Sequence, residues 1–133
     1  MAASLLNSFV EELTRNTAVA ALVTARIYPK TIPQDAHLPA LAYQLISNPD
    51  DYTQSGKSGL RKARIQIDCV AKGYLEAHQL ADAVTGAMSG KKNLSSLRAN
   101  IFVANEFDRS EIAPVFLENS VQIDFEISYQ EAG

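Results

Sequence analysis

Gly56-Lys57-Ser58 reproduces the last three positions of a phosphate-cradling loop, in which backbone amides and a lysine surround a nucleotide's phosphates. That loop also requires a glycine five residues before Gly56, where this chain has Asp51, a carboxylate in the path of the phosphate. The residues after it alternate like a strand, whereas the motif continues as a helix. His37 and His78, the two histidines, have no companion at metal-ligand spacing. Cys69, the single cysteine, excludes an internal disulfide and an all-cysteine metal centre. It alternates with polar residues on the side of apolar neighbours, where a thiol is buried, acts as a small hydrophobe and is inert. Asp50 and Asp51 are adjacent, and Glu106, Asp108 and Glu111 cluster. Neither group has the alternating oxygen donors and fixed glycine turn of a calcium loop. No pocket that would separate the pKa values of two acids is legible either. The expectation is a chain with no catalytic residues, no metal and no cofactor, and therefore not an enzyme.

The remaining chemical signal is a basic run, Lys57, Arg61, Lys62 and Arg64, of the type that touches nucleic-acid phosphates. No aromatic residue is interleaved with it after Tyr52, so it offers no stacking platform for single strands. Overall there are 12 basic and 15 acidic side chains, a net charge of −3, against the basic excess of a dedicated nucleic-acid binder. The charge is uneven: residues 1–66 hold 7 basic and 5 acidic groups, residues 67–133 hold 5 and 10. Halves of +2 and −5 can attract copies of one chain head to tail.

These residues need a scaffold, and the periodicity supplies one. A chain of 133 residues with 47% apolar and 20% charged side chains reads as one folded domain, residues 1–133, long enough to bury a core without staples. Its first residues lack the basic region and apolar core of a signal peptide, and no apolar run is long enough for a membrane span. A reducing, intracellular setting is expected. Leu5, Leu6, Phe9, Val10 and Leu13 make one helical stripe from Leu5 to Arg15, capped by Ser4. Asn16 or Thr17 caps a second short helix, Ala18 to Val23. Pro29, Pro33 and Pro39 then hold residues 30–39 in a loop. Leu41, Tyr43 and Leu45 alternate as a strand; 49–59 is a polar connection; Ala63, Ile65, Ile67, Cys69 and Ala71 alternate with Lys62, Arg64, Gln66 and Asp68 as a second strand. Tyr74 to Ser89 is a helix stopped by Gly90. Leu97 to Phe107 is a third strand, with Ile101 and Val103 on one face and Phe102 and Ala104 on the other. Val121 to Tyr129 is the sharpest alternation in the chain.

The fold class expected is α+β: a four-stranded, mainly antiparallel sheet with helices packed on one face, in the order α(α)-β-β-α-β-β. Lys62 and Arg64 on the second strand and Asp124 and Glu126 on the last would pair across neighbouring strands, within or between subunits, or stand on a solvated face.

Several short stretches then carry a resemblance. Asp51-Tyr52-Thr53, Gly56, Ser58-Gly59-Leu60, Ala63-Arg64-Ile65-Gln66-Ile67-Asp68-Cys69, Glu76-Ala77 and Leu80-Ala81-Asp82-Ala83-Val84 occur in order. With Arg26-Ile27-Tyr28-Pro29, the Pro39–Gln44 stretch and the alternating last strand, the chain from about Ala21 to Tyr129 resembles the tail-completion (tail-terminator) proteins of long-tailed bacteriophages and prophages. Val70 departs from the tryptophan expected there in many relatives.

The resemblance implies a structural virion protein: a homo-oligomeric ring, usually a hexamer, that caps the finished tail tube, ends its polymerisation and joins the tail to the head connector. The implied partners are further copies of the chain, the tail tube protein and the connector or neck protein. DNA is met only by passage through the ring, with no membrane, no catalysis and no cofactor. The implied location is the tail-neck region of the virion, after assembly in the host cytoplasm. On this reading Asp50, Asp51, Tyr52, Gln54, Lys57 and Arg61 lie at an assembly surface, with Lys62, Arg64, Asp124 and Glu126 on the sheet face beside them. A head-completion or neck adaptor is the near alternative, distinguished by its partners. A small ligand-binding α+β domain is the distant one; it would need a concave pocket with convergent polar groups.

Overall fold

A computed structural model describes residues 2–24, 26–30, 32–33, 37–47, 60–90, 92–94, 97–108 and 119–130. In chain order the described elements are α1 (Ala2–Arg15), α2 (Thr17–Val23), β1 (Ile27–Pro29), β2 (Ala40–Ser47), β3 (Leu60–Ala71), α3 (Tyr74–Met88), β4 (Asn93–Leu94), β5 (Leu97–Asp108) and β6 (Asn119–Gln130). They form one sheet in the order β1-β2-β3-β6-β5-β4.

The four expected strands are β2, β3, β6 and β5, each antiparallel to its neighbour, with β3 and β6 at the centre. The sheet is larger than expected, six strands and mixed, because a short strand is added at each edge. β1 runs parallel to β2, pairing Ile27, Tyr28 and Pro29 with Leu41, Ala42 and Tyr43. β4 pairs Asn93 and Leu94 with Arg98 and Leu97. Neither is long enough to show a period. Pro29 also marks its segment as a chain break, although proline is tolerated on an edge strand, where one side needs no N–H donor.

The helices form where apolar spacing and capping agree. Leu5, Phe9 and Leu13 line one side of α1 and are fully buried. The helix starts at Ala2, two residues before the expected cap at Ser4. Asn16 separates α1 from α2: its Oδ1 accepts the Val19 N–H at 3.1 Å, satisfying a donor that the first turn leaves open. Arg26 braces the exit from α2, donating from Nη2 to the Leu22 carbonyl at 3.2 Å and from Nε to the Pro39 carbonyl at 2.9 Å. On α3, Ala77, Leu80, Ala81, Val84, Ala87 and Met88 are buried. Gly90 follows with φ of 81°, a left-handed conformation that suits glycine, and its N–H reaches the Ile101 carbonyl at 2.8 Å. That bond ties the end of α3 to β5.

All three helices cover the same side of the sheet. There they bury Ala63, Ile65, Ile67, Cys69 and Ala71 of β3 and Val121, Ile123, Phe125, Ile127 and Tyr129 of β6. The Phe9 ring meets Phe125 edge to face, centroids 5.7 Å apart. Burial of each large apolar side chain contributes about 1.5–3 kcal/mol, which makes this interface the main source of stability. The opposite side of the sheet carries no second layer among the described residues. Register shifts between Leu45 and Ser47 on β2 and between Val103 and Asn105 on β5 mark a bulge in each strand that flanks the central pair.

Candidate assembly surface

The helix-free side is where most of the described candidate residues stand. On it, Arg64 is the direct Cα partner of Glu126, Gln66 of Asp124, Asp68 of Gln122, and Lys62 of Ser128. The basic and acidic strands are therefore neighbours within one chain. Cross-strand pairs of opposite charge contribute about 0.2–1 kcal/mol each. Gln66 Nε2 donates to Asp68 Oδ1 and Gln122 Nε2 to Asp124 Oδ1, both at 3.5 Å, the outer limit of a hydrogen bond. Gln122 retains only 9% of its exposure, although no second layer lies on this face among the described residues.

Apolar residues lie beside this polar centre. Phe102 pairs with Glu126 and Phe107 with Gln122, and both rings are exposed, as is Ile46 in the β2 bulge. Strict alternation would place Phe107 with Ile101 and Val103 on the helix side. The β5 bulge inserts one residue and inverts the parity after Val103, so Phe107 emerges on the helix-free face. No feature of the sequence announces that insertion.

The same inversion turns Asp108 toward α3, where its Oδ2 accepts from the Tyr74 hydroxyl and lies 3.2 Å from His78 Nε2. The Tyr74 and His78 rings are 4.8 Å apart. The hydrogen bond to Asp108, then its negative charge, raises the Tyr74 phenol above its ordinary pKa. Spacing alone left His78 without a companion; the fold supplies one from 30 residues away. Together the three groups cross-tie the start of α3 to the end of β5. Among the described residues no group of three or more His, Cys, Asp or Glu is placed to hold a metal ion. Cys69 is fully buried, and burial pushes its thiol far up, with Asp68 and Glu106 adding to the shift.

Asp50, Asp51, Tyr52, Gln54 and Lys57 lie outside the described residues. Arg61 occupies the β3 position paired with Tyr129. No described helix is long and apolar enough to cross a membrane.

Among the described residues, a mixed sheet with helices on one side and a charged face on the other defines a small α+β protein whose distinctive feature is its surface. The model of the family Tail completion protein gp17 matches residues 9–127, and the chain belongs to that family; its role is that of a structural component of a phage tail. Among solved structures, a chain of the virion of a native gene transfer agent particle is 18% identical, with a TM-score of 0.67 over 92% of each chain. A second solved chain is 15% identical, with a TM-score of 0.57 over 93% of each. Both likenesses are of fold. No curated protein matches by sequence.

Proposed function

We propose that copies of this chain, each acting as a single domain, assemble into a ring that caps the tail tube, ends its polymerisation and joins the tail to the head connector. The observation that carries this reading is the family match, which runs through nearly the whole chain, from residue 9 to residue 127. The likeness to a chain of a gene transfer agent virion supports a place in the virion; on this reading that place is the junction of tail and head. The ring's partners are its own copies, the tube protein below and the connector above, and DNA passes through its hole.

Asp50, Asp51, Tyr52, Gln54, Lys57 and Arg61 form the part of the assembly surface that meets tube or connector. Lys62, Arg64, Asp124 and Glu126 belong to the same surface through the sheet face opposite the described helices. Such contacts need no catalytic group; they need complementary patches that differ on the two sides of each subunit.

Deletion of residues 50–58 tests the reading. Electron microscopy of the resulting particles should show overlong tubes, or tails of normal length detached from heads. Normal infectious particles would exclude this segment from the assembly surface.

A further inference from the structure

The two margins of the sheet are stepped in opposite senses. On one side β1 lies along Leu41–Tyr43 of β2, and the last bond on that margin runs from Lys30 N–H to the Tyr43 carbonyl. On the other side β4 and the turn before it lie along β5 only as far as Ile101, where Gly90 N–H binds. Among the described residues, no strand lies along β5 from Phe102 to Phe107.

The registers place the projecting strand of one margin level with the open stretch of the other. Tyr28 pairs with Ala42, Ala42 with Asp68, Asp68 with Gln122 and Gln122 with Phe107, one continuous row across the sheet. The next row begins at Pro29 and ends at Glu106 by the same succession. Backbone parity agrees. Arg26 and Lys30 bond toward β2, so Ile27 and Pro29 turn their backbone groups outward. Ala99 and Ile101 face β4, so past the bulge Glu106 turns outward as well. Pro29 lacks an N–H but keeps the carbonyl that a Glu106 N–H would meet.

Charge follows the same polarity. Arg26, Lys30, Arg61, Lys62 and Arg64 stand on or beside β1–β3, against Asp68. Glu106, Asp108, Asp124 and Glu126 stand on β5 and β6, with Lys92 and Arg98 at the far end, beside and opposite β4. The uneven charge of the two sequence halves thus becomes a difference between the two ends of the sheet.

We infer that β1 of one copy adds antiparallel to the open half of β5 of the next copy, which sets Tyr28 opposite Phe107 and Pro29 opposite Glu106. The occupant of the β5 margin is a second copy of this chain, and the joint is heterologous, so repetition closes a ring when the angle between copies permits. Phe107, 47% exposed in the single chain, gains an aromatic neighbour on the same face. This inference rests on the ring proposed above and names the joint that closes it.

Cysteine pairing tests it, because the native Cys69 is fully buried and introduced thiols are the reactive ones. Under oxidation, the double variant Tyr28→Cys/Phe107→Cys should give a ladder of covalent oligomers ending at the closed ring. Each single variant alone should give none, and an equimolar mixture of the two singles should stop at dimers. Wild-type mass in solution is measured alongside. Rings of wild type and double variant without a ladder would overturn this joint and leave the ring intact. Single variants that dimerise alone would overturn its head-to-tail character. A wild type that stays monomeric would remove the ring and the joint together. As a second measure, Phe107→Ala, which removes the aromatic neighbour of Tyr28 at an exposed position, should weaken self-association about threefold. A Phe107→Ala variant that assembles as wild type does would overturn the contact of Phe107 with Tyr28.

Discussion

Arg64 on β3 and Glu126 on β6 sit directly opposite each other at the middle of the helix-free face, with Phe102 next to Glu126 in the same row. Arg64→Glu should destabilise the chain, and adding Glu126→Arg should recover the loss. A double-mutant cycle on urea midpoints should give a coupling of about 0.2–1 kcal/mol. Strictly additive effects would mean that the two charges do not interact.

Tyr74 should give the protein an alkaline signature. Folding raises its phenol pKa, chiefly through the hydrogen bond to Asp108, so the folded chain favours the protonated form. That stabilisation is complete below the ordinary value of 10.0 and is lost as pH climbs through the raised value. The stability gap between wild type and Tyr74→Phe should therefore be constant near neutrality and shrink above about pH 10. In Asp108→Asn the pH dependence of that gap should disappear.

Cys69 should resist thiol reagents in the folded chain and react at once in denaturant, since burial holds it in the neutral form. Labelling under native conditions should follow global unfolding. Cys69→Ser, which buries a hydroxyl among apolar neighbours, should cost about 1–3 kcal/mol, and Cys69→Ala should cost less. Fast native labelling would contradict the buried position.

Phe9 anchors α1 on the sheet through its edge contact with Phe125. Phe9→Ala should cost about 3–5 kcal/mol, a large share of the stability of a small domain. Amide exchange should rise first in α1, while β3 and β6 keep their protection.

The alternating strands were legible because one face of the sheet is buried and the other is not. Ile65 against Gln66, or Phe125 against Glu126, announces both strand and face. The helices were legible from Leu5, Phe9 and Leu13 and from the Ala77–Met88 stripe. What escaped was set by geometry without a period. β1 is three residues ending in proline, and β4 is two. The β5 bulge shifts Phe107 and Asp108 to faces that strict alternation denies them, so the exposed ring and the Tyr74–His78–Asp108 tie were unreadable. Strand order was equally hidden: periodicity marked Lys62, Arg64, Asp124 and Glu126 as one polar set, but only the sheet shows which meets which.

The central position of β6 has a consequence for the order of events during synthesis. Asn119–Gln130 is the last of the described strands in chain order, yet β3 and β5 both pair with it and not with each other. Until it leaves the ribosome, the β2–β3 hairpin and the β4–β5 ribbon have no common partner, and the chain must hold two unfinished halves. Closing them requires contacts between residues some sixty positions apart, the kind of long-range pairing that folds slowly. Completion is thus a late, nearly all-or-none event, and the sheet is whole only when β6 slots between β3 and β5.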